Sequence, residues 1–294
     1  ATLFEPAIHL AETAYMSDPL AFLCNTRDRY GDVVRVALGP MEAILISDPD
    51  LVEDVLVTRN KLWKKDAFLQ TTLRPVLGEG LLSSEGDFWR RQRRLSQPAF
   101  HRDRNAGYGR IMVGYAEGLA GRWRDGEIRD VHKDMMRLTL EIVAKTLFGA
   151  DVGDHADDVG DALEAVLAYV SQPAFLFVPA LKRAPLPVVR RFHAAVSKLD
   201  AIIYGVIDKR RGSAESQDLL SMLLHAVDED GSRMSDRQLR DEALTLFLAG
   251  HETTAIALSW TWWLLSRHGD VEHKLVHELD EVLGDRAPSL EDLP

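Results

Sequence analysis

Between Leu244 and Leu265 the chain is apolar over a length that would reach across a bilayer. Inside that stretch, however, stand His251, Glu252, Thr253 and Thr254, with Thr261 further on. An ionised carboxylate at mid-bilayer is costly, so the segment is read as a long helix buried in a water-soluble fold. Ser235 and Gln238 have the capping-box spacing and mark its start, which gives an expected helix over 235–267. The 294 residues can bury a core large enough to enclose it.

The middle of this helix reads Ala249-Gly250-His251-Glu252-Thr253-Thr254. Glycine in a helix interior costs roughly 1 kcal/mol relative to alanine, so Gly250 needs a reason. One is a tight helix crossing, with Glu252 reaching solvent or a buried arginine. The other is chemical: a threonine hydroxyl bonded one turn back opens a polar notch where a small ligand can sit. A neighbouring acid whose pKa is raised by burial would relay protons to it. A zinc-protease reading fails, because the second histidine position is Ala255. His273 and His277 also have helical spacing, but a solvated amphipathic face accounts for them.

A second feature is Phe88-Trp89-Arg90-Arg91-Gln92-Arg93-Arg94-Leu95. On a helix Trp89 and Arg93 lie one turn apart on one side, where an indole N–H and a guanidinium form a clamp for a carboxylate. Arg90, Arg91 and Arg94 make a basic patch. The net charge of -11 argues against nucleic acid as a partner, since a phosphate backbone is bound by basic surface. Cys24 is the single cysteine, which excludes an internal disulfide framework and fits a reducing, cytoplasmic compartment. The first residues show neither a signal peptide nor a membrane anchor.

Elsewhere the chain is mainly α with a small β-sheet. Residues 33–46 read as a strand pair turning at Gly39-Pro40, and Asp48-Pro49 opens a helix to about Val57. Residues 66–84 look irregular, with Pro75, Gly78 and Gly80 interrupting any long helix. Met112, Tyr115, Leu119 and Trp123 share one helical face; Met135, Leu138 and Ile142 share another, in a helix that Gly149 ends. Further helices are expected over 157–169, 188–211, 218–226 and 270–283.

The two motifs, in this order and at this separation, resemble those of the cytochrome P-450 family. Trp89-x-x-x-Arg93 is similar to its C-helix motif, within 85–104, and Ala249-Gly250-x-Glu252-Thr253 to its central I-helix motif. The resemblance implies one P-450 domain over 1–294, incomplete at the C-terminus, with the cysteine ligand of the metal beyond Pro294. Cys24 is far from that position in the chain. It further implies haem (iron protoporphyrin IX), with Trp89 and Arg93 on its propionates and Ala249 and Gly250 against its face. Thr253 and Glu252 would serve oxygen activation and proton delivery. Leu81, Leu82, Phe175 and Phe177 are candidates for contact with a small apolar substrate, with core packing as the alternative. Arg90, Arg91 and Arg94 would dock a ferredoxin or flavodoxin-type donor passing electrons from NAD(P)H. The activity implied is monooxygenation, absent from residues 1–294 alone; the alternative is a non-catalytic helical binding module. Helices lacking their C-terminal packing partners would expose apolar faces near Trp260, Trp262 and Trp263.

Overall fold

The computed structural model describes residue 15 and residues 17–38, 41–149, 156–172, 175, 179–211, 218–228 and 230–293. The chain forms two compact units, one of residues 1–68 with 171–189, the other of residues 69–170 with 190–294.

In the first unit, α1 (Pro19–Tyr30) starts at Asp18, whose carboxylate accepts the Ala21 N–H at 2.9 Å. Strands β1 (Val33–Leu38) and β2 (Met41–Ile46) pair antiparallel, with Val33 opposite Ile46 and Leu38 opposite Met41. The Gly39-Pro40 turn lies outside the described residues. Strand alternation puts Val34 and Val36 on one face, where Tyr15, Phe22 and Leu45 pack on them. Asp48 then caps α2 (Pro49–Glu53), which loosens into a π-turn over Asp54–Thr58.

Helix α3 (Ala67–Leu77) departs from expectation, because it runs straight through Pro75. Burial explains this: Val76 and Leu77 are almost wholly enclosed, and their packing offsets the lost proline N–H. Then come α4 (Gly86–Ser96), α5 (Arg102–Ala120), α6 (Val131–Phe148) and α7 (Ala156–Val170). Helices α8 (Pro187–Arg211), α9 (Leu219–His225), α10 (Asp236–Leu265) and α11 (Gly269–Val282) complete the helical set described here. Gly149, at φ 61°, ends α6 as expected, and a Cβ there would come within 2.6 Å of the Arg210 guanidinium. That guanidinium donates to the Phe148 carbonyl at 2.7 Å and pairs with Asp218, the cap of α9, at 2.7 Å.

Helix α10 is the long element read from the sequence, and both hydrogen bonds of the Ser235–Gln238 capping box are present. It packs along α6, and Ala255 joins Leu119, Met135 and Leu138 in a core that Tyr115, Trp123 and Ile142 border. Met112, placed on that face from the sequence, is instead exposed, because the face of α5 leaves the core one turn before Tyr115. Trp260, Trp262 and Trp263 are about half exposed, as are Val271, Leu275 and Leu279 of α11. No helix among the described residues is long and apolar enough to cross a membrane.

Candidate active site

Helix α10 presents two different sides at its middle. The side toward α6 is closed: His251 is buried and its Nε2 lies 3.1 Å from the Met136 carbonyl. A carbonyl only accepts, so that nitrogen carries the proton. A Cβ on Gly250 would stand 3.1 Å from Cγ2 of Val143, so the crossing of α6 and α10 is tight at the glycine. The other side is open. Ala249, Thr253 and Ala257, four residues apart, form an exposed stripe beside Ile256 and Trp260. The Thr253 hydroxyl donates to the Ala249 carbonyl, the back-bonded arrangement expected of this motif. Its hydrogen committed, the oxygen still offers lone pairs outward.

Glu252 is half-buried, and none of the described ion pairs uses it. Burial raises its carboxyl above the usual range, while His132 of α6 acts in the opposite direction. His132 is held in turn by Ser259, with Nδ1 3.2 Å from its Oγ. Since the Ser259 hydroxyl donates to the Ala255 carbonyl at 2.7 Å, the Nδ1–H is the donor in that contact. The carboxyl raised by burial therefore immediately precedes the threonine that bonds back to Ala249.

Burial has the opposite sign for His251, pushing the imidazole below its ordinary value. The unfolded chain therefore binds the extra proton more readily, and stability falls as pH drops below about 6.5. One such proton gives a slope of up to about 1.4 kcal/mol per pH unit. Urea denaturation between pH 7 and 5 should show this slope in the wild type and not in His251→Phe. Equal slopes would refute the assignment.

On α4 the Arg93 guanidinium lies 5.3 Å from the centroid of the Trp89 ring. Arg93 is exposed, none of the described ion pairs uses it, and its guanidinium lies over the indole on one face of α4. The remaining arginines are less free than the sequence implies. Arg91 and Arg94 share Asp228, whose side chain is 6% exposed, at 2.8 and 2.7 Å, and Arg91 also reaches the Ser232 hydroxyl at 2.7 Å. Arg90 pairs with Asp87. Three of the four arginines thus meet carboxylates, and Arg91 also acts on Asp230.

Leu81 is half-buried and Leu82 exposed, both in the segment leading to α4. Phe175 belongs to the other unit and is buried, and Phe177 lies outside the described residues. Cys24 is exposed on α1, also in the other unit. His273 and His277 are exposed on α11, and no group of three metal-binding side chains occurs among the described residues. Two groups escaped the sequence reading. One is His132, invisible because its partner is 127 positions away. The other is the buried pair Asp241–Glu242, in the second turn of α10, whose partners lie more than 160 positions away.

The second unit thus holds Arg93 over the Trp89 ring on α4 and, on α10, a face of small side chains beside Glu252 and Thr253. An exposed guanidinium is suited to a carboxylate, and a helix face of small side chains to a flat group. The family described as Cytochrome P450 matches residues 7–294. Cyclooctatin synthase of Streptomyces melanosporofaciens is 38% identical over 280 residues, 94% of this chain and 61% of that protein. Pentalenene oxygenase of Streptomyces avermitilis is 34% identical over 281 residues, 95% of this chain and 62% of the relative. The crystal structure of the cytochrome P450DA heme domain shares 27% identity at a TM-score of 0.82, over 98% of this chain and 65% of that one. The chain spans about three-fifths of the length of the relatives it matches.

Proposed function

This chain belongs to the cytochrome P450 family, and on that premise we propose that the full-length protein is a haem-dependent monooxygenase. It inserts one atom of O2 into a small apolar organic substrate, with electrons from NAD(P)H delivered by a ferredoxin or flavodoxin-type partner. The observation that carries this is the pairing on α10: the Thr253 hydroxyl turned back onto Ala249 on an exposed stripe, with half-buried Glu252 adjacent. A relative whose name gives an alkene as the compound oxygenated supports an apolar substrate.

Haem, when bound, supplies the oxygen activation itself. Trp89 and Arg93 hold its propionates by charge-assisted hydrogen bonds. Ala249 keeps the open face of the helix low enough for a flat ring to approach, whereas the missing Cβ of Gly250 faces Val143 of α6 and serves the helix crossing. Thr253 holds a proton at its hydroxyl, and Glu252 replenishes it from a carboxyl that burial keeps protonated to higher pH. Leu81 and Leu82 offer apolar contact to the substrate; buried Phe175 lends less support to such a role. An acidic donor protein would meet the arginines of α4, chiefly Arg90 and the half-exposed Arg94. A cytoplasmic location accompanies this reading, since one free cysteine suits a reducing compartment.

The test is a reduced, carbon-monoxide difference spectrum of residues 1–294 and of the protein extended through its open reading frame. A thiolate-type band is expected in the extended protein alone. Its absence from both would leave the scaffold with a non-catalytic binding role, and a band from residues 1–294 would show that the thiolate is not needed from elsewhere.

A further inference from the structure

The segment between α3 and α4 is fastened over the first turns of α10 by charges that proton delivery does not use. Asp241 Oδ2 accepts the Glu79 N–H at 2.9 Å, and Glu242 Oε2 accepts the Leu81 N–H at 3.0 Å. Both residues are buried, at 4% and 1% exposure. The approach is close: a Cβ on Gly78, whose φ is +54°, would fall 2.1 Å from the Asp241 carboxylate oxygens. One on Gly80 would fall 2.1 Å from the Thr245 hydroxyl and 2.7 Å from the Asp241 carbonyl. Ser83 closes the turn by donating its hydroxyl to the Gly78 carbonyl at 2.8 Å.

Arg240 extends the arrangement in two directions. Its guanidinium donates to Asp241 at 2.9 Å, to the Val76 carbonyl at the end of α3 at 2.6 Å, and to Asp200 of α8 at 2.7 Å. Burying a carboxylate is costly unless it is paired and hydrogen-bonded. Here two adjacent carboxylates are buried on backbone N–H groups two residues apart in one short segment. Such an arrangement fixes the segment's position, and the segment carries Leu81 and Leu82.

We propose that Asp241 and Glu242 are positioning residues that set where Leu81 and Leu82 stand toward substrate, with Asp200 of α8 joined to the same latch through Arg240. This rests on the reading of the two leucines as substrate contacts. Three alterations in the full-length, haem-loaded protein separate it from a purely structural role: Glu242→Ala, Glu242→Gln and Asp241→Asn. The readouts are hydrogen exchange at the Glu79 and Leu81 amides and the affinities of imidazole and 1-phenylimidazole, followed by haem absorbance. Phenylimidazole adds bulk that must pass the leucines, and the imidazole moiety is common to both probes.

Glu242→Ala should speed Leu81 exchange about tenfold, as expected for one lost backbone hydrogen bond. It should also shift the ratio of the two affinities by about fivefold while imidazole itself stays within about twofold. Glu242→Gln keeps an acceptor oxygen and should fall between Glu242→Ala and the wild type, which keeps the test valid if Glu242→Ala does not fold. Asp241→Asn should act first at Glu79. Unchanged exchange, or faster exchange with an unchanged ratio, overturns the positioning role. Wild-type protein that binds no haem overturns the parent reading as well, and the two failures are thereby distinct.

Discussion

Glu252→Gln is expected to lower O2-dependent turnover of the full-length protein about 100- to 10,000-fold, the range typical of a lost general acid or base. The substitution keeps size and removes only the ionisable proton, so binding of haem and substrate should change little. Stability supplies an independent check. Burial raises the Glu252 carboxyl in the folded chain, so ionising it opposes folding. For an acid raised in this way, stability is fully present below the unfolded value, near 4.3, and is lost as pH rises through the folded value. The glutamine variant should therefore match or exceed the wild type in stability at pH 7, with the difference vanishing as pH falls toward 4. Thr253→Ala should also lower turnover, and the double variant should lose much less than the product of the single losses, because both act in one proton path. Turnover of Glu252→Gln within about threefold of wild type would remove the acid from the mechanism, since that is far short of general acid catalysis.

Arg240→Leu should be the most damaging substitution away from the reaction centre, costing about 3–5 kcal/mol in stability. Its side chain is 7% exposed and that of Asp241 6%, so removing the guanidinium leaves a buried carboxylate without its cation. The Val76 carbonyl at the end of α3 loses its donor in the same step. Arg90→Ala is the control: its pair with Asp87 is solvent-exposed, and such pairs contribute about 0–1 kcal/mol. Urea denaturation of the two variants beside the wild type decides the matter. Equal losses would mean that water screens the Arg240 cluster as it screens the surface pair.

Both substitutions fall on α10, and they show what kind of information placed each residue. The helix was legible in the sequence because its signals are local. A capping box sits within one turn, and a long apolar stretch follows it. The Trp89–Arg93 pairing is local too, fixed by the helical repeat, and the two side chains do stack. Gly149 had to end α6, and Asp48-Pro49 had to start α2, for equally short-range reasons. Thr253 bonding back to Ala249 is a property of the helix itself.

What the sequence left open was decided by contacts across more than a hundred residues. Both reasons for Gly250 were available from the chain, and Val143, from another helix, supplied the packing one. Arg91 and Arg94 looked like free surface charge until Asp228, over 130 positions away, was found between them. Asp241 and Glu242 drew no notice in the sequence and are buried on the amides of Glu79 and Leu81. Periodicity and capping depend on neighbours within about one turn, whereas the partner of a charge depends on which distant segment the fold brings alongside it. The sequence by itself determined the elements and the chemistry on α4 and α10; the tertiary structure determined which charges remain free to act.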